Sequence, residues 1–222
     1  MINLRKISFS YGRREILKDL SFSVGPGECV VLAGPNGSGK STAASLIAGV
    51  LRPVSGEISV QGSVGFVPQG TALFEDMSVE DNLRFFAGLK NCQVPEQLPF
   101  GVERYRKSRV SKLSGGMKKQ VSIACALLGD PQILLLDEPC AALDIEYRRE
   151  LTELILEKKS QGCAIVYVGH EPQEFYPFYD KLVFFGNGYR EYTRQQLLAD
   201  SENELRFSNT FQELFSTRGE SQ

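Results

Sequence analysis

The sequence predicts an α/β fold with a mostly parallel core sheet, an N-terminal antiparallel β subdomain and a small inserted helical subdomain. Three observations carry that expectation: alternating strand patterns at the start, later apolar strand runs separated by helical ones, and a glycine-rich loop joining an apolar strand to a helix. Strands that alternate with helices imply parallel neighbours joined by right-handed crossovers. At 222 residues and 42% hydrophobic, the chain suits a single domain with a sizeable core.

Ile2, Leu4, Ile7 and Phe9 alternate, and "ILKDLSFSV" follows a Gly-Arg-Arg turn, so the opening reads as antiparallel strands with one buried face. "ECVVLAG", residues 28–34, is a continuous apolar run of the kind buried on both faces of a parallel sheet. After the loop, "KSTAASLIAGVL" is a helix pattern stopped near Pro53. "SVGFVPQ", "QILLLDEP" and "CAIVYVGH" are three more strand runs, and residues 147–159 read as a helix between the last two. Between Gln69 and Leu113 the pattern turns helical, with "VEDNLRFFAGL" followed by a loop carrying Pro95 and Pro99; the helical subdomain is expected over about residues 70–128. Leu83, Phe85, Phe86 and Leu89 are expected to fill its core; the alternative reading turns one of the phenylalanines toward a partner. "KLVFFGNGYREY" reads as strand, tight Asn-Gly turn and strand, and two helical pieces follow.

Composition narrows the partners. A net charge of −2 and a pI near 5.6 give no global positive field, so no nucleic acid is expected. The exception is local: Arg104, Arg106, Lys107, Arg109, Lys112, Lys118 and Lys119 cluster, either as a solvated face or as a docking surface for an acidic loop or lipid headgroups. Five cysteines without a C-x-x-C pair suit free thiols in a reducing compartment. The first ten residues lack the apolar core of a signal peptide, and no run of about 18 apolar residues occurs, so the chain is expected to be cytoplasmic.

"GPNGSGKST" (Gly34, Pro35, Asn36, Gly37, Ser38, Gly39, Lys40, Ser41, Thr42) matches G-x-x-x-x-G-K-[ST] between a buried strand and a helix. Its glycines let successive N–H groups face inward around phosphate oxygens, and the helix N-terminus adds positive potential. Lys40 would reach the β- and γ-phosphates and Ser41 would ligate Mg²⁺, which makes the fold a P-loop NTPase and ATP with Mg²⁺ its expected ligands. A dinucleotide fingerprint is excluded, because "GSGKST" lacks the third glycine. At the end of "ILLLDEP", Asp137 would orient the hydrated metal while Glu138, pointing the other way, polarises the attacking water. Ser114, Gly115 and Gly116, opening a helix in "KLSGGMKKQVSIACAL", make a second anion site.

"GPNGSGKST", "LSGGM", "ILLLDEP", "ALD" and the only histidine, in that order, resemble the ATP-binding cassette (ABC) ATPases over essentially the whole chain. The resemblance implies two nucleotide domains facing head to tail, a homodimer or a heterodimer, with Ser114, Gly115 and Gly116 of one closing over ATP held by Lys40 of the other. It also implies that Tyr11 stacks on adenine, that Gln69 contacts Mg²⁺ and the attacking water, that Asp144 bridges the subunits, and that His170 senses the γ-phosphate. Met117 stands where the family usually has glutamine, Cys140-Ala141-Ala142 where Thr-Ser-Gly is common, and Glu171 where aspartate is usual. None of these touches phosphate, so hydrolysis is expected, and Met117 and Cys140 bear on its rate.

The implied function is the ATP-hydrolysing subunit of a membrane transporter, held peripherally at the membrane by a separate permease that docks on the helical lobe. A soluble ABC ATPase of a protein or cofactor assembly complex is the alternative. Twin-domain translation factors need two phosphate loops and DNA-repair relatives a long coiled coil, and the sequence has neither. A switch with negligible hydrolysis is opposed by Glu138.

Overall fold

The computed structural model describes residues 1–198 together with Asn209, Phe211, Gln212 and Leu214. β1 (Ile2–Tyr11) and β2 (Arg14–Val24) form the expected antiparallel pair, closed by a turn in which Gly12 takes a φ of +59° and Tyr11 pairs with Arg14. Their alternating residues Ile2, Leu4, Ile7, Leu17 and Leu20 are buried. β3 (Cys29–Ala33) is buried along its whole length, and α1 (Lys40–Ile47) follows the glycine loop. The helix stops short of Pro53, ending where Gly49 turns to a φ of +74°. β4 (Ser55–Val60), absent from the sequence reading, pairs with β1 and completes a three-stranded sheet ordered β2-β1-β4. As an edge strand it is largely exposed, and so lacks the apolar alternation that announces a strand.

β5 (Val64–Val67) enters the second sheet, and the chain then leaves it for α2 (Val79–Leu89), two short 3₁₀ turns at Pro99–Tyr105 and Val110–Lys112, and α3 (Gly115–Leu127). Ser78 starts α2 with a capping box: its hydroxyl accepts from Asp81 N–H at 3.1 Å, and the Asp81 carboxylate accepts from Ser78 in return. Ser78→Ala is expected to lower stability by about 0.5–2 kcal/mol, read as a shifted urea midpoint with unchanged slope. β6 (Ile133–Asp137), α4 (Ile145–Ser160), β7 (Ala164–Val168), the short α5 (Pro172–Phe175), β8 (Lys181–Gly186), β9 (Gly188–Thr193) and α6 (Arg194–Leu198) complete the described elements. The second of the two expected terminal helical pieces falls mostly outside the described residues.

The six-stranded sheet runs β5-β6-β7-β3-β8-β9, parallel except for the β8–β9 hairpin around Asn187. Because side chains alternate along a strand, each central strand feeds both faces. Ile133, Leu135, Val30, Leu32, Val166 and Val168 pack with α1 and the antiparallel sheet, whereas Leu134, Leu136, Val31, Ile165 and Tyr167 pack toward α2, α3 and α4. Two apolar layers therefore hold one sheet rigidly. The loops after β3, β5, β6 and β7 leave its carboxyl edge together, where open α/β sheets bind ligands. All five cysteines are unpaired, as expected.

Candidate nucleotide site

The phosphate loop spans the gap from β3 to α1. Gly39 begins the helix at a φ of +102°, and a Cβ there would lie 2.5 Å from Leu17 Cδ2, so only glycine fits. Lys40 is buried and its Nζ donates to the carbonyls of Gly34 and Pro35, both at 2.9 Å. Burial lowers the Lys40 pKa, against the pull of Glu138 and Asp137. An ammonium desolvated and held only by two carbonyls is ready to exchange them for phosphate oxygens, which form stronger charge-assisted bonds. Ser38 Oγ, in the same loop, is buried without a partner among the described residues. An orphan hydroxyl beside inward N–H groups fits a phosphate ligand.

At the end of β6, the Asp137 carboxylate accepts from Ser41 Oγ at 3.2 Å. Burial raises its pKa from the ordinary aspartate value; the Ser41 hydroxyl and the charges of Lys119 and Lys40 oppose this, while Glu138 adds to it. A serine oxygen, this buried carboxylate and the nearby Gln69 amide are a hard oxygen set suited to Mg²⁺. Bound there, the metal would neutralise phosphate charge, with Ser41 and Asp137 holding and orienting it. Glu138 adopts a φ of +48° and its N–H donates to Val168 O at 3.0 Å, so the chain turns sharply and the two carboxylates diverge. The Glu138 carboxylate bridges two loops: Oε2 accepts from Gln69 Nε2 at 3.0 Å and Oε1 lies 2.6 Å from His170 Nε2. Adjacency of β5, β6 and β7 in the sheet produces this contact between residues distant in sequence.

Tyr11, Asn36, Gly37, Lys40, Gln69 and Glu138 line one open cleft of about 510 Å³, joined by Gly39, Ser41 and Thr42. Arg14 and Ile16, which the sequence reading did not single out, line it too; two apart on β2, they share the face that Tyr11 reaches across the turn. Tyr11 is 53% exposed and meets Phe9 edge to face at 4.9 Å, an aromatic surface available for stacking.

Ser114, Gly115 and Gly116 do not line this cleft. Ser114 caps α3, accepting from Met117 N–H at 3.2 Å, and a Cβ on Gly116 would lie 2.7 Å from Ala142 O, so the signature turn packs on the loop after Glu138. Asp144 caps α4 through Tyr147 N–H at 3.1 Å. Cys140 is a buried thiol, pushed up to about 11 by burial and receiving Tyr167 Oη at 3.4 Å. It packs in the core and does not line the cleft. The basic cluster is not one face. Arg104, Lys107, Arg109 and Lys112 are exposed, but Arg106 and Lys118 pair with Glu80 and Glu75, and Lys119 is buried. Among the described residues no helix is long and apolar enough to cross a membrane.

The family model described as ABC transporter matches residues 17–141. Nod factor export ATP-binding protein I of Mesorhizobium japonicum is 35% identical over 207 residues, covering 84% of this chain and 61% of that protein. Linearmycin resistance ATP-binding protein LnrL of Bacillus subtilis is 31% identical over 208 residues, covering 85% and 67%. The chain thus spans about three fifths to two thirds of the length of these relatives. A solved ATP-binding subunit of an ABC transporter superposes with a TM-score of 0.85 at 28% identity, covering 96% of this chain and 99% of that one. A bacterial ABC transporter cassette solved as a dimer shares the fold at a TM-score of 0.72 and 24% identity, covering 87% and 98%. With a matching family model over residues 17–141 and a phosphate loop and acidic strand end at the carboxyl edge of its sheet, the chain belongs to the ABC transporter family.

Proposed function

We propose that the chain hydrolyses Mg-ATP to power a membrane transporter, two nucleotide-binding subunits closing over ATP and reopening after hydrolysis. The observation that supports this most directly is the division of the site. Lys40, Asp137, Glu138, Gln69 and His170 converge, whereas Ser114 and Gly115 are exposed and lie outside their own cleft. A helix N-terminus with an exposed serine and glycine and no acidic side chain in its first turn suits the triphosphate of a facing subunit. Closure then stores the preference of ATP for the paired state, which a partner can use. Gln69, Ser41 and Asp137 hold Mg²⁺, Tyr11 stacks on the base, and the helical subdomain over about residues 70–128 carries the permease contact at the cytoplasmic face.

An exposed apolar surface on the helical subdomain supports that contact. Leu83 is buried and Phe86 half-buried, as expected of a core, but Phe85 and Leu89 stand 42% and 69% exposed, beside Phe74 at 45%. The Phe74 and Phe85 rings meet edge to face at 4.8 Å. The buried Asn82 amide fixes this arrangement by bonding both the N–H and the C=O of Phe74. An exposed aromatic pair on a rigid turn suits an apolar helix end of a partner. Pull-down of the full chain from detergent-solubilised membranes of its source should bring down a multi-span protein, and Phe74→Ser with Phe85→Ser should lose it while ATPase activity persists. Recovery of only soluble companions would favour an assembly ATPase instead.

A further inference from the structure

Two lysines stand side by side in α3, and the fold treats them in opposite ways. Lys118 leans outward and pairs with Glu75 at 2.6 Å. Lys119, one residue and about 100° further round the helix, turns inward and is 4% exposed. Its Nζ donates to the carbonyls of Pro68 and Gln69, at 3.1 and 3.0 Å. Little else packs on that loop: Gln69 is exposed, and a Cβ on Gly70 would meet nothing within 4 Å. Bonds from a cation to carbonyls are about twice as strong as neutral ones, so this ammonium is a strong tether for the backbone that carries Gln69. From Gln69 the contacts continue to Glu138 and from Glu138 to His170.

We propose that Lys119 is a positioning residue, which by gripping the main chain at Pro68 and Gln69 sets the Gln69 side chain against Glu138 and the metal. Lys119 touches neither nucleotide nor metal; it acts through Gln69. The signature helix and the Gln69 loop thereby move as one piece. This rests on the reading that Gln69 and Glu138 serve ATP hydrolysis.

Lys119→Met keeps the stem and removes the ammonium, and Lys119→Arg keeps a donor cation. Mn²⁺ titrated into protein loaded with a non-hydrolysable ATP analogue, followed by electron paramagnetic resonance, reads the metal site without turnover. Lys119→Met is expected to weaken Mn²⁺ and to lower kcat by about 10- to 100-fold each, as loss of outer partners of metal ligands does. Analogue binding in EDTA, KM and the melting temperature should stay near wild type, and Lys119→Arg should recover most of both losses. Wild-type Mn²⁺ affinity in Lys119→Met overturns the assignment. So does collapse of metal-free analogue binding and melting temperature together, without rescue by arginine, since that marks a packing role. Glu138→Gln is measured alongside: if it turns over at the wild-type rate, the hydrolytic reading itself fails and takes this one with it. If it is inactive and Lys119→Met is not impaired, only the role of Lys119 falls.

Discussion

Glu138→Gln is expected to bind ATP like the wild type and to lose turnover by about 10²- to 10⁴-fold, the span typical of removing a general base. The substitution keeps the shape of the side chain and deletes the one oxygen charge that lies between Gln69 Nε2 and His170 Nε2. The phosphate loop keeps its own contacts, because the Glu138 carboxylate bonds Gln69 and His170, whereas Lys40 bonds the carbonyls of Gly34 and Pro35. Phosphate release at saturating Mg-ATP, set beside equilibrium binding of a fluorescent ATP analogue, separates the two effects. Turnover near wild type would remove Glu138 from catalysis. The position of the residue adds a second expectation. A non-glycine residue at a φ of +48° is strained, and the Val168 carbonyl holds it there through the Glu138 N–H. The strain aims the carboxylate away from Asp137, which on the proposed reading leaves one acid for the metal and the other for water.

How much of this was legible in the sequence depends on how local each signal is. The phosphate loop was readable because glycine spacing, lysine and flanking strand and helix lie within one short stretch, and Gly39 sits there at a φ of +102°, where a side chain would be strained. The acidic pair was readable from its place at the end of an apolar run. The meeting of Gln69, Glu138 and His170 was not, since it follows from the order β5-β6-β7, which periodicity does not encode. β4 was missed because an edge strand presents too little apolar surface to alternate. Lys119 was misread for a related reason. Residues Lys119 to Ala126 of α3 are all buried, so the helix is enclosed on every side and its polar groups must be satisfied internally, as Gln120 is by Tyr105 Oη at 2.7 Å. In sequence, a lysine facing solvent and one facing a carbonyl look the same. Phe85 shows the converse: its neighbour Phe86 packs on the core, and one step round the helix puts Phe85 outside.

Mixing two inactive variants is expected to restore activity. Gly116→Val pushes a side chain into Ala142 O, which a Cβ would already approach to 2.7 Å, and so spoils the signature turn while leaving the phosphate loop intact. Lys40→Ala does the reverse, removing the ammonium that contacts the loop carbonyls and leaving Ser114 and Gly116 in place. Each alone should be nearly inactive as a homodimer, because every site then lacks one half. A mixed pair has one site built from the sound loop of the first chain and the sound signature of the second, and one site doubly spoiled. At equal concentrations half the pairs are mixed, so recovery should reach roughly a quarter of wild-type turnover if the two sites act independently. If each chain instead closed its own site, mixing would restore nothing. Melting curves of both variants guard against misfolding as the cause of inactivity, and a titration of one variant against the other should peak near equal amounts, which only a composite site requires.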